Sequence, residues 1–174
     1  MSVQIPLERV KPTLLQLLEE TFSKVHGMYI DKGTTLYETL DSVTAAEASR
    51  SASPQTATIA AQVDHVRFYL DVIDDIMRSQ SLDKGYNWRH IWETVREVTP
   101  EQWEDIKRQL RESHDQVIKR INSVRNWDNE IDFGCVMSIV AHTAYHLGGI
   151  RQALAVIRAT PSGETSSQTS ATAR

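Results

Sequence analysis

Apolar residues recur at three- and four-residue intervals along four separate stretches of the chain, and nowhere do they alternate with the period of two that marks a half-buried strand. In the first stretch Leu14, Leu15, Leu18, Phe22 and Val25 follow Pro12, and Gly27 supplies a stop. This predicts a helix from about residue 7 or 12 to 26. The second stripe, Ile59, Val63, Val66, Leu70, Ile73 and Met77, predicts a helix from near residues 54–56 to about 78. "TPEQW" at 99–103 is a helix opening: Thr99 can cap, Pro100 suits the first helical position and Gln102 completes a capping box. Trp103, Ile106, Leu110, Val117, Ile118 and Ile121 then carry a third helix to 122–125. The fourth extends from about 131 to 158, roughly 40 Å at 1.5 Å per residue.

The intervening segments are unequal. Residues 27–56 form a long connection in which "TLYETLDSV" and "TAAEAS" can each make a helical turn and "SRSASPQT" reads as an exposed loop; a connection of this length is usually functional. Residues 79–98 contain "YNWRHIWETV", an aromatic crossover expected to cover one end of the molecule. The last residues, "PSGETSSQTSATAR", are polar and aperiodic and read as a disordered tail. The predicted fold class is therefore all-α: a four-helix bundle over residues 1–160, in which each helix hides one stripe against the others, and a tail over 161–174.

Composition narrows the setting. With 174 residues, 40% hydrophobic, and only 7 Gly and 5 Pro, the chain fits one domain with few turns. The single cysteine, Cys135, forms no internal disulfide, so the expected compartment is the cytoplasm. The N-terminus lacks the apolar core of a signal peptide and no uninterrupted apolar run approaches the roughly 20 residues of a membrane span, so no membrane partner is expected. The formal charge is −4 with scattered basic residues, which lacks the footprint of a nucleic-acid binder.

The candidate chemistry lies on the fourth helix. His142 and His146 are four residues apart, so both imidazoles leave one face, close enough to grip one cation. That face continues through Cys135, Ile139, Ile150 and Ala153, which turns it toward the bundle. A zinc-type catalytic site uses about three protein ligands and leaves a position open, so a third ligand must come from another helix. His65, beside the stripe of the second helix, is the choice; His114, between Leu110 and Val117 on the third, competes. His26 and His90 are read as structural. Cys135, two turns from His142, reads as an ordinary buried thiol. Tyr69, one turn beyond His65, is a candidate catalytic phenol, with packing as the alternative. "HTAYH" lacks the Glu of a metalloprotease helix, and no Glu-x-x-His, "GxSxG" or phosphate-gripping Gly-rich loop is present.

Three segments, "VDHVRFYL" around His65, "TPEQWEDIKRQL" opening the third helix and "AHTAYHLGGIRQAL" around His142 and His146, occur in an order and rough spacing that resemble the DinB-like family of metal-binding four-helix bundles, which includes YfiT-like proteins. The resemblance covers about residues 7 to 158. It implies an up-down-down-up bundle with a long crossover between helices two and three, a homodimer, and a divalent metal ion, zinc or nickel foremost, on His65, His142 and His146. The chain departs from the family at Gly149, where many members have Gln; Gln152 follows one turn later. Relatives in that family include mycothiol-dependent maleylpyruvate isomerases and bacillithiol transferases. The resemblance thus implies a small-molecule substrate, a low-molecular-weight thiol as a cofactor, and thiol-dependent transfer or metal-assisted hydrolysis. The alternative is a non-catalytic, stress-associated ligand-binding protein or a structural dimer.

Overall fold

Each apolar stripe forms a helix in the computed structural model, which describes residues 7–160 apart from 83, 126 and 128. Four long helices, α1 (Leu7–Phe22), α4 (Ile59–Ser79), α6 (Pro100–Ser123) and α7 (Glu130–Ala159), build the body. Three short ones, α2 (Leu36–Asp41), α3 (Ala45–Ala48) and α5 (His90–Thr94), lie in the connections, and there is no strand among the described residues. The expected tail at 161–174 lies outside the described residues.

The ends of the helices follow local chemistry. At α6 the Thr99 side chain accepts from Gln102 N and the Gln102 side chain accepts from Thr99 N, the capping box expected there. The same box recurs at α2 with Thr35 and Glu38 and at α3 with Thr44 and Glu47. α4 begins at Ile59, a few residues later than expected, because the Thr58 hydroxyl accepts from Ala61 N and sets the cap there. α1 ends at Phe22, four residues short of the expected 26. The reason is Glu20, whose buried carboxylate accepts the backbone N–H groups of Met28, Tyr29 and Ile30 and folds the following chain back onto the helix. Gly27, at φ 77°, supplies the left-handed turn this return requires.

Named contacts fix the helix directions. Lys11, early in α1, donates to the carbonyl of Asn122 at the end of α6 (3.1 Å), and Phe22 at the end of α1 stacks on His114 in the middle of α6, so these two run antiparallel. Arg120 and Asp74, both near C-terminal ends, join α6 to α4 at 2.9 Å, so this pair runs in one direction. Gln80 at the end of α4 donates to Asp132 at the start of α7 (3.0 Å), which makes α4 and α7 antiparallel. Because α4 and α6 are parallel neighbours, residues 80–99 must carry the chain back along the bundle, and α5 forms on the way. Leu18, Phe22, Val63, Leu70, Leu110, Ile121, Ile139 and Ile150 meet in the buried core.

One described helix, α7, is long and apolar enough by length and composition to cross a bilayer, although its sequence is interrupted by polar residues. Here it packs along α4 and α1, and its Val136, Ile139, Leu147 and Ile150 belong to the bundle core.

Candidate metal centre

The register set by Gln80 and Asp132 decides where the histidines meet. His65 lies about 22 Å back along α4 from Gln80, while His142 and His146 lie about 15 and 21 Å forward along α7 from Asp132. On antiparallel helices these positions share one level. His65 Nε2 stands 3.1 Å from His142 Nε2, and one ligand atom from each of His65, His142 and His146 lies within 4.8 Å of the others. The structure thus brings together the two histidines of α7 and the one chosen from α4. His114 is elsewhere: its Nδ1 is 3.0 Å from the Tyr37 hydroxyl and its ring stacks on Phe22 at 4.0 Å, on the α1 side of α6. His26, beyond the end of α1, pairs with Glu19 at 2.7 Å, and His90 is exposed at the start of α5.

The electrostatics of the cluster are one-sided. Burial pushes the His142 imidazole down to about 3, with His146 and His65 adding to the effect, and burial together with His65 takes His146 to about 4. Burial also lowers His65, against the opposing pull of Asp64. That carboxylate is engaged with Arg67 on the same helix. All three rings are therefore neutral at pH 7, the protonation state a metal ligand needs.

The donor set fits a cation. Two neutral imidazoles with facing Nε2 atoms at 3.1 Å need a proton or a positive ion between their lone pairs, and burial disfavours protonating a ring. A tetrahedral zinc about 2.0–2.1 Å from each nitrogen would set its ligands roughly 3.3 Å apart, close to the spacing found. The Nδ1 atoms of all three histidines are buried without a protein hydrogen-bond partner. Nothing on those edges competes for the rings or turns them away.

Aromatic side chains fix the ring orientations. Tyr69 lies flat on His142 (centroids 3.7 Å apart, planes at 11°), Trp92 covers His65 at 4.4 Å and reaches His146 at 6.3 Å, and Tyr145 meets His146 edge-on at 5.2 Å. Trp92 comes from α5 in the crossover, which therefore roofs the histidines; the sequence pointed to an aromatic cover for one end, with Trp88 and Trp92 at a pocket mouth as the less favoured alternative. Its "W-x-x-x-W" spacing, Trp88 to Trp92, was the available signal, since Trp88 also sets its edge toward His65 at 6.3 Å.

Two cavities flank the cluster. One, about 660 Å³, is lined by His65 and His146 together with Gln62, Trp92, Tyr145 and Gly149. The other, about 510 Å³, is lined by Tyr69, Cys135, Ser138, Trp88 and apolar residues of α4 and α7, and no histidine lines it. Tyr69 thus has its ring against His142 and one side on the second cavity, where burial raises its hydroxyl above the usual range. Cys135 is buried, and that burial pushes its thiol up to about 11.

In comparison with known proteins, a family model described as the DinB superfamily matches residues 31–150, a span that holds the three histidines. No curated protein and no solved structure matches the chain.

Proposed function

We propose that this chain, which belongs to the DinB superfamily, holds one divalent cation on His65, His142 and His146 and uses it in thiol-dependent transfer or metal-assisted hydrolysis of a small molecule. The observation that carries the reading is the convergence of three neutral imidazoles from two helices, His65 and His146 buried and His142 half-buried, beside a cavity of about 660 Å³. When bound, such a cation would acidify a water or thiol at its open position. The residues of the chain do the rest. α4 and α7 hold the nitrogens at one level, Trp92 and Tyr69 clamp the rings, and the cavity beside His65 and His146 admits the reactant. Zinc and nickel both suit three imidazoles, which do not choose between them.

No Asp, Glu or Lys lines the histidine-facing cavity among the described residues, so deprotonation of a water or a thiol there would rest on the cation alone. The same absence of a base supports the second reading, a ligand-binding protein without turnover. The free, buried cysteine accords with a cytoplasmic setting. A homodimer belongs to the proposal as well, supported by the exposed apolar side chains Phe133, Met137 and Val156 on α7. Light scattering of the purified protein measures it directly.

The decisive experiment is elemental analysis of wild type and of His65→Ala, His142→Ala and His146→Ala, followed by assay with physiological thiols and electrophiles. One equivalent of metal in wild type and loss in each variant supports the centre; equal binding in all four proteins removes it. Turnover that disappears with the metal identifies an enzyme, and saturable binding without turnover identifies the second reading.

A further inference from the structure

The cavity that His65 and His146 face has no charged side chain in its walls among the described residues. Its polar groups, apart from the imidazoles, are the carboxamides of Gln62 and Gln152, the hydroxyls of Thr56 and Tyr145 and the indole N–H of Trp92. Gln62 precedes His65 by one turn on α4, and Gly149 follows His146 by one turn on α7. The helices are antiparallel, so the two positions face each other one step outside the imidazoles.

A side chain at position 149 would crowd Gln62. A Cβ placed on Gly149 would stand 3.1 Å from Gln62 Oε1, tighter than ordinary van der Waals contact, so the carboxamide would have to shift. Gly149 lies in regular helix, where glycine is less favourable than alanine, and its conformation does not require glycine. The close approach of Gln62 is the structural use for that missing Cβ: the carboxamide lies across the bare backbone of α7, at the wall of the cavity.

We infer that Gln62, laid across Gly149, is the specificity-determining residue of this centre, and that it selects ligands whose body carries an uncharged amide or hydroxyl. The inference rests on the metal reading above and deepens it. A carboxamide offers two donors and an acceptor, so it can meet both ends of another amide. An ammonium on the ligand body would meet the like charge of the cation and walls that return no opposite one. Sites that hydrogen-bond a neutral polar group discriminate against analogues unable to return the bond, because the half-buried carboxamide then loses its partner.

The test uses cobalt-loaded full-length protein and two monothiol probes, N-acetylcysteamine with an amide body and 1-propanethiol with a body that carries no polar group. Cobalt affinity is measured first by visible absorbance, then thiol binding by the sulfur-to-cobalt charge-transfer band and by calorimetry. Wild type is expected to bind N-acetylcysteamine about tenfold or more tighter than 1-propanethiol. Gln62→Ala should weaken the amide probe about 5- to 20-fold, leave the apolar probe nearly unchanged and leave cobalt affinity intact. Gly149→Ala, which pushes the carboxamide aside, should do the same, and the double variant should lose no more than either single one. If cobalt binds but neither probe does, or if the preference is absent in wild type or survives in Gln62→Ala, this inference is overturned while the metal reading stands. If cobalt does not bind, both are overturned.

Discussion

His65 Nε2 and His142 Nε2 stand 3.1 Å apart although 77 positions separate them in the chain. At that distance the pair is joined either by one neutral ring's Nε2–H donating to the other's lone pair or by a cation that both lone pairs bind, in surroundings that penalise a charged ring. A bound cation takes both lone pairs, and its binding energy becomes folding energy. With free zinc or nickel at a hundredfold excess over Kd, wild type should gain about 2.7 kcal/mol of unfolding free energy. Each of His65→Ala, His142→Ala and His146→Ala should lose most of this gain and more than about a hundredfold in affinity. Calorimetric titration and urea unfolding with and without metal check both numbers.

Trp92 makes the centre visible in solution. Its ring lies 4.4 Å from His65 and 6.3 Å from His146, nearer the cluster than any other indole described, with Trp88 at 6.3 Å from His65. A paramagnetic ion such as Cu²⁺ or Co²⁺ held by these rings should quench that indole efficiently, while Trp103, whose indole N–H donates to the Val43 carbonyl and whose ring is not among those packed on the histidines, should be quenched less. Titrating copper into wild type and Trp92→Phe should show stoichiometric quenching in the first and most of it missing in the second. Equal quenching in the two proteins would place the ion elsewhere.

Burial of the rings also predicts the pH range of the site. Ordinary imidazoles protonate near pH 6.5, and protons then compete with a metal. Here His142 is held down to about 3 and His146 to about 4, chiefly by burial, and His65 is lowered as well, so all three rings stay neutral to a lower pH than free imidazoles. Metal affinity should therefore hold through pH 6.5 and fall only at lower pH. Competition titrations with a chelator at each pH measure it; a fall centred on pH 6.5 would show that the rings are solvated.

Much of this was legible in the residues. The stripes through Leu14 and Phe22, Val63 and Leu70, Leu110 and Ile121, and Ile139 and Ile150 have helical periods, and all four became long helices. The spacing of His142 and His146 put them on one face for the same reason. The helical turns expected in "TLYETLDSV" and "TAAEAS" formed as α2 and α3, each opened by a capping box, at Thr35 and at Thr44, like the one at Thr99. Less of the rest could be read. The early end of α1 came from Glu20 reaching a loop eight to ten residues away, a tertiary bond that periodicity does not encode. Whether His65 or His114 would join the pair on α7 depended on helix register and neighbour order. Both lie on inward faces, and only the Gln80–Asp132 contact and the packing of His114 on Phe22 separate them.

His114 carries a prediction of its own, because it is a buried imidazole that the centre does not use. Burial pushes it down to about 4, helped by Arg111 and opposed by Asp115, while in the unfolded chain it titrates near 6.5. Between those values the unfolded state binds more protons than the folded one, so stability must rise with pH and be lost as the pH falls from about 6.5 toward 4. The full span is worth about 3 kcal/mol for this one group, taking 1.36 kcal/mol per pKa unit. The histidines of the metal-free cluster act in the same direction, so the contribution of His114 must be read as a difference. His114→Gln keeps a hydrogen-bond partner for Tyr37 and removes the titration. Urea unfolding of metal-free protein at pH 7 and pH 4.5 should show wild type losing about 2–3 kcal/mol more than the variant over that interval. Equal losses would mean that this imidazole protonates in the folded protein as easily as in the unfolded chain, which the stacking on Phe22 and the closed environment of its Nε2 do not allow.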